Sequence, residues 1–404
     1  MRRRAEFKIP LGLFFATIFL VVGATISVTV MFDLARFNKK LRDSSWYDQV
    51  SLKLYELDKI VKNQFDGVID EERLVDEVMK GYLSGIGDKD SKYFSPEEYK
   101  LKKKEMRNQN ILWGVRFAED GGYLRIDEIY ENYLALDVDL QLEDLIIKVE
   151  DVNVTHENIE ECVKMLNANE GTKIRVSFRR GLKEFEKELV VRYAKVSAVQ
   201  SDSFGDVAYI RILSFNEPAV KFFSRQVSEL LSKKRAVIID LRDTGAGSLD
   251  CAAKILKMIL PQGLIVSSIR EGGEVDNLFY SDGRHEVKKP MIVLANEKTM
   301  GVAELFIHVL KCYEKVQVVG ERTAGKGKMQ TFFELQDGAA IELTVAKFGL
   351  PDGNTFDGTG IMPDFRVQPI TPLTTEKKQE VKMIDKSKDL QLAKALEVLE
   401  FEDN

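Results

Sequence analysis

The segment 291–330 limits the possible folds more than any other part of this chain. Residues 291–295 (Met-Ile-Val-Leu-Ala) are apolar without a break, too short for a helix, and read as a strand covered on both faces. A short polar turn follows and opens an apolar-periodic helix. A second buried strand, 316–320, runs into Gly320-Glu321-Arg322-Thr323-Ala324-Gly325-Lys326-Gly327. Buried strands that end in polar, glycine-bearing loops belong to α/β sheets, which place their sites beyond the carboxyl ends of the strands.

The same grammar appears upstream. Residues 207–212 and 236–241 are buried-strand runs. Between them, 218–233 carries Val220, Phe222, Phe223, Val227, Leu230 and Leu231 at helical spacing. Strand, helix, strand implies a right-handed crossover and a parallel sheet. The second strand ends in Arg242-Asp243-Thr244-Gly245-Ala246-Gly247, and a helix through Leu260 follows. Such a loop either converges backbone N–H groups on an anion or simply turns strand into helix, and the residues leave both open.

A chain of 404 residues has room for two or three cores. Its net charge of −6, with the signs interspersed, argues against nucleic acid as a partner. Cys162, Cys251 and Cys312 show no CxxC spacing, and His156, His285 and His308 form no cluster, so neither a metal nor another cofactor is expected. None of the three histidines stands beside a candidate nucleophile.

Arg2, Arg3, Arg4 and Lys8 precede an uncharged apolar run at 11–32, long enough to span a bilayer as a helix. The basic flank orients residues 1–10 to the cytoplasm and the body outside it. An uncleaved anchor in the cytoplasmic membrane is expected, with a signal peptide cut near Val22-Gly23-Ala24 as the competing reading. Residues 33–108 are helical in pattern, broken at Gly67 and Asp70, and Ser95-Pro96-Glu97-Glu98 has the form of a helix start. Residues 109–189 read as a compact β-rich module: strands at 112–117, 123–129, 145–149 and 173–179, with a helix at 159–166. That order fits a PDZ-like domain, which captures a peptide C-terminus by strand addition. Residues 371–404 form a charged helical tail whose Leu390, Leu392, Leu396 and Leu399 predict a helix packed back on the body.

Several blocks together resemble the C-terminal processing peptidases, or tail-specific proteases. Asp88–Tyr99 is similar to the family's Asp-Pro-Tyr-Ser-x-Tyr-x-x-Pro-Glu-Glu-Tyr block. Tyr209-Ile210-Arg211-Ile212 and Ile238-Ile239-Asp240-Leu241-Arg242 resemble its first core strands. Gly320 to Gly327 is similar to its Gly-Glu-x-Thr-x-Gly-Lys-Gly motif, and 350–364 to its block ending in Gly-Ile-x-Pro-Asp. The resemblance spans roughly 81–367. It implies an α/β peptidase core of the crotonase-like type over 190–370 with the PDZ-like module inserted, to which the apolar run adds one N-terminal transmembrane helix.

Family members use a serine nucleophile, a lysine base and a glutamine that supports the lysine. Laying the family's Ser-Ala-Ser-Ala-Ser-Glu on Thr299-Met300-Gly301-Val302-Ala303-Glu304 puts the nucleophile position on Gly301. Lys326, 25 residues on, then takes the base position and Gln330 the supporter's. The oxyanion loop maps to Gly245, Ala246 and Gly247 with Val302, and the peptide-binding loop to Gly114, Val115, Arg116 and Phe117. Trp113 and Arg116 are expected to put bulk where the family has bare backbone.

Glycine offers no oxygen for a lysine to activate. The expectation is therefore a membrane-anchored, catalytically impaired homologue that binds protein or peptide C-termini outside the cytoplasm. An alternative is an active peptidase with Thr299 as displaced nucleophile, although Thr299 also reads as a helix N-cap. A structural or assembly protein is the third reading. A homodimer is an arrangement such a chain can adopt.

Overall fold

The computed structural model describes Thr25, Met31 and residues 46–106, 111–130, 139–194, 196–227, 233–245, 247–368 and 389–401. Apart from Thr25 and Met31, the apolar run at 11–32 lies outside the described residues, as does the tail segment 371–388. Among the described residues no helix is long and apolar enough to cross a membrane. The chain divides into two units, Met1–Val75 and Asp76–Asn404.

The first unit holds helix α1 (Trp46–Gln64), none of whose residues is buried. Helix α2 (Glu71–Gly85) begins where Asp70 accepts the Arg73 N–H at 3.0 Å, so the chain breaks where Gly67 and Asp70 predict. In the second unit, β1 (Lys92–Phe94) leads to Ser95 and helix α3 (Pro96–Met106). The Ser95 hydroxyl accepts the Glu98 N–H, and the Glu98 carboxylate accepts the Ser95 N–H, a reciprocal cap.

The β-rich module follows: β2 (Ile111–Leu112), β3 (Val115–Asp120), β4 (Tyr123–Ile129), β5 (Leu145–Val149), β6 (Val152–Asn153), α4 (Ile159–Leu166), β7 (Lys173–Arg180), β8 (Lys183–Val190) and β9 (Tyr193–Ala194). Its sheet runs β3-β4-β5-β7-β8, with β6 beside β5. Strands β2 and β9 pair antiparallel, so the chain enters and leaves the module side by side, as an insertion into another domain must. Ile126, Ile146, Val176, Phe178 and Cys162 fill its core.

The core domain opens with β10 (Val199–Phe204), β11 (Val207–Ile212) and α5 (Glu217–Phe222). Asn216 caps α5 by accepting the Ala219 N–H at 3.1 Å. The helix expected over 218–233 thus starts one residue earlier, and it widens to a π turn at Phe223–Val227. There follow β12 (Ala236–Asp240), α6 (Leu249–Leu256), β13 (Gln262–Ile269), β14 (Val275–Asp282), β15 (Met291–Ala295), α7 (Val302–Cys312), β16 (Gln317–Gly320), β17 (Lys328–Glu334), β18 (Ala340–Gly349), β19 (Phe365–Arg366) and α8 (Leu390–Phe401).

Two sheets result. The first runs β10-β11-β12-β15-β16-β19 and is parallel from β11 onward, with β10 antiparallel at one edge. One face (Ala208, Ile210, Val237, Ile239, Val293) packs under Phe306, Leu310 and Leu256 of α7 and α6. The other (Tyr209, Ile238, Ile292, Leu294) is covered by Leu392, Ala395, Val398 and Leu399 of α8. Strands with apolar side chains on both faces require this double cover. The second sheet runs β1-β18-β13-β14, with β17 paired to β18. Because β12, β15 and β16 are parallel neighbours, the loops that follow them emerge at one edge.

Candidate active site

Three loops meet at that edge: 241–248, 296–301 and 321–327. Backbone bonds stitch them together. The Met300 N–H donates to Thr244 O (3.0 Å), the Ala324 N–H to Thr299 O (3.1 Å) and the Glu321 N–H to Ala295 O (3.0 Å).

The middle loop turns strand β15 into helix α7 at Gly301, the N-cap, with φ 61° and ψ −118°. L side chains rarely adopt that backbone, so glycine takes the turn without strain. A Cβ built there would find no atom within 4 Å. Space for a side chain exists, and the strain of holding one is about 1–3 kcal/mol. Tight strand-to-helix turns of this kind are where nucleophiles are presented in other hydrolase folds.

Glu304, at the third position of α7, is fully buried. Its Oε2 accepts the Gly301 N–H (3.0 Å) and the Lys326 N–H (2.8 Å). Its Oε1 accepts the Gly325 N–H (2.7 Å) and the Thr323 hydroxyl. One carboxylate oxygen thus touches the backbone of both Gly301 and Lys326, bringing the ends of β15 and β16 into one frame. Glutamate at this position also complements the N-terminus of its own helix.

The β-rich module docks on the same edge. Asp127 of β4 accepts from Arg116 (2.8 Å) and from Lys298 (3.3 Å), the latter in the turn before Gly301. Arg116 also reaches Asp243 (3.5 Å), which Asn296 holds at 3.0 Å. Burial opposes charge on Asp127, but the Arg116 hydrogen bond and charge, with Lys298, outweigh it and keep its carboxyl below the ordinary range.

Residues 206–367 match Peptidase family S41. Relatives include the carboxy-terminal processing protease CtpA of Bacillus subtilis (strain 168), 26% identical over 89% of this chain and 78% of its own. The carboxy-terminal-processing protease of Bartonella bacilliformis is 24% identical over 88% of this chain and 83% of its own. Residues 206–367 thus carry the S41 peptidase domain, and the relatives support a member of the C-terminal processing peptidase family. In the fold, this chain superposes on a photosystem II D1 C-terminal processing protease with a TM-score of 0.58, at 18% identity over 82% of this chain and 88% of that one.

The side chains of the expected S41 machinery lie differently from the sequence expectation. Lys326, which the resemblance puts at the base position, is 60% exposed, and its amine sits 3.6 Å from the Asp90 carboxylate. Gln330, expected to support Lys326, donates instead to Asp90 O at 2.9 Å. Both follow from strand β18, which pairs with β17 and with β1 through the same residues, 340–342, and so carries the turn before β1 to the start of β17. Thr299 is fully buried, and its hydroxyl donates to Leu241 O (2.8 Å) while accepting the Asn296 N–H (3.0 Å). It ties the turn to strand β12, presents no surface to a substrate, and is not the N-cap, which is Gly301.

In the expected oxyanion loop, the Met300 side chain packs over Gly245. Gly247, at φ 143°, lies so close to Phe215 that a Cβ would come within 2.7 Å of the Phe215 nitrogen. Ala246 lies outside the described residues. Val302 is the first residue of α7, where a backbone N–H has no intrahelical acceptor. In the module, Gly114 and Val115 open β3, Arg116 turns to Asp127 and Asp243, and Phe117 packs against the module core. Trp113 does not crowd this loop. It is buried in the module core, and its indole N–H donates to Val190 O at 2.8 Å.

Glu304 was not singled out for a role by the sequence, although Gly301-x-x-Glu304 ahead of an apolar run is a recognisable helix-start signal.

His308 of α7 stacks on Phe356 at 5.0 Å, and Phe356 belongs to the loop that packs on the lysine loop through Gly358 N–H to Gly325 O (2.8 Å). Burial pushes the imidazole down to about 4. The unfolded chain protonates near 6.5, so this residue's contribution is complete above about pH 6.5 and is lost as pH falls towards 4. Denaturation midpoints are expected to drop between pH 7 and pH 5, and His308→Leu should flatten that part of the profile. A slope unchanged in His308→Leu would count against it.

Proposed function

We propose that this chain is a membrane-anchored S41 homologue that has lost peptide-bond hydrolysis and keeps the recognition of protein C-termini outside the cytoplasm. The observation that carries this is glycine in the seat of an assembled backbone frame: Glu304 bridges the backbones of Gly301 and Lys326, and no side-chain oxygen stands at position 301. Loss of the nucleophile from a comparable serine peptidase costs about 10⁶ in turnover, or roughly 8 kcal/mol of barrier.

Recognition is assigned to the β-rich module, read as PDZ-like. Its strand β3 lies at the sheet edge and, among the described residues, pairs on one side only, leaving backbone groups for an extended peptide to join. Gly114 to Phe117 stand at the start of that edge. The names of the relatives, carboxy-terminal processing proteases, support a C-terminus as the feature recognised. The apolar run at 11–32 behind its basic flank supports the anchor.

The full-length chain in mild detergent should leave unfolded protein and free-carboxylate peptides uncut. It should bind such peptides at least tenfold more tightly than their amidated forms. Cleavage by the parent chain would overturn the loss of hydrolysis, and equal binding of both peptide forms would overturn C-terminal recognition.

A further inference from the structure

We propose that Asp90 is a second departure from the dyad: a fixed carboxylate that draws Lys326 aside, so that a serine in the seat would not by itself rebuild the nucleophile–base pair. This rests on the reading above that the site is impaired. It adds a positioning residue that acts on the base and not on the nucleophile.

Asp90 sits on the turn before β1 and faces the start of β17. Its Oδ1 is 3.6 Å from the Lys326 amine, and its Oδ2 is 3.1 Å from the Lys328 amine. The turn is pinned on several sides. Gln330 donates to Asp90 O at 2.9 Å, so the residue in the supporter's position holds the acid's backbone. Asp88 accepts from Lys328 (2.7 Å) and from the Ser91 hydroxyl (2.6 Å), and the Thr344 N–H of β18 donates to that hydroxyl (3.2 Å). Strand β1 then pairs with β18 through Lys92 and Glu342.

An acid on so fixed a turn restrains a flexible lysine more than a freely moving partner would, because little further side-chain entropy is lost on pairing. In the block that this stretch resembles, position 90 carries tyrosine, which has no negative charge to offer an amine. The substitution at 90 and the glycine at 301 therefore act on opposite halves of one dyad. Lys328 keeps Asp88 as a partner if Asp90 is neutralised, so the turn has a remaining tether.

The test uses the full-length chain and an alkyl fluorophosphonate. In labelling, the serine oxygen bonds to phosphorus, fluoride leaves, and the hydroxyl proton passes to the lysine amine. Three variants are compared: Gly301→Ser, Gly301→Ser with Asp90→Asn, and that pair with Lys326→Met. The expected result is slow labelling of the first, at least tenfold faster labelling of the second, and loss of the gain in the third. A merely structural Asp90 would not produce a gain that depends on Lys326. A parallel Gly301→Cys series with iodoacetamide covers the case in which the serine variant does not fold. The proposal is overturned if Gly301→Ser labels as fast as the double variant, if both stay at background, or if the gain survives Lys326→Met. Lys326-dependent labelling of the parent chain, which has no serine in the seat, would instead overturn the impaired-site reading.

Discussion

Glu304→Ala is expected to lower the unfolding free energy by about 4 kcal/mol. The carboxylate is fully buried and accepts from the Gly301, Gly325 and Lys326 N–H groups and from the Thr323 hydroxyl. Alanine would leave those donors facing a small cavity. Each buried donor left unpaired costs about 1–3 kcal/mol, and water entering the gap recovers part of that sum. Glu304→Gln is expected to cost nearly as much, because the amide nitrogen must face an N–H donor on one side. Urea unfolding followed by circular dichroism measures the loss. Hydrogen exchange should show faster exchange of the Gly325 and Lys326 amides even in the folded protein. A loss under about 1 kcal/mol, the size of a single cap, would mean that the frame is held by the backbone stitches alone.

Arg242→Met should cost about 3–5 kcal/mol, the usual result of stranding a buried partner. Asp240 ends strand β12 at 1% exposure and accepts the Tyr209 hydroxyl at 2.6 Å. Arg242 returns to it at 2.5 Å and reaches forward to Asp389 at 2.8 Å and Gln391 at 3.2 Å. Asp389 also caps α8 by accepting the Leu392 N–H at 3.0 Å. The guanidinium therefore joins the central sheet to the C-terminal helix. Burial disfavours charge on Asp240, and the Arg242 charge and hydrogen bonds, with Arg211, outweigh it and hold the carboxyl below its ordinary range. Methionine keeps the volume and removes the charge, leaving an unpaired carboxylate in the core. The double variant Asp240→Leu/Arg242→Met should recover most of the loss, since a well-packed apolar pair replaces an ion pair at little cost. Equal losses in the single and double variants would show that packing, and not charge pairing, carries the contact.

These two residues mark where sequence reasoning stops. The buried strands were legible because unbroken apolar runs, five residues long at 291–295 and four at 207–210 and 236–239, leave few alternatives, and their parallel order followed from the intervening helices. The blocks that resemble the C-terminal processing peptidases come in that family's order, so Gly301 and Lys326 could be paired by a spacing of 25 residues. The strand ending Ile238-Ile239-Asp240-Leu241-Arg242 showed its charges, but not that one of them reaches a helix some 150 residues on. Glu304 looked like an ordinary helix-start residue because three of its donors lie on another loop. Leu392 and Leu399 were rightly predicted to pack against the body, whereas Leu390 of the same stripe is 47% exposed.

Local pattern alone determined the α/β core and the β-rich module, because each depends on residue type or short-range periodicity, and the resemblance placed glycine in the nucleophile position at 301. Only the tertiary structure decided where the side chains of Lys326, Gln330 and Thr299 go. Strand β18 pairs with both β1 and β17 and so brings the 88–90 turn to the start of β17, where Lys326 and Gln330 both meet Asp90. The parallel neighbour β12 ends beside the turn before α7, so the Thr299 hydroxyl is consumed by Leu241. A side chain's partner is fixed by which distant strand becomes its neighbour, and that choice is made by the packing of the whole sheet.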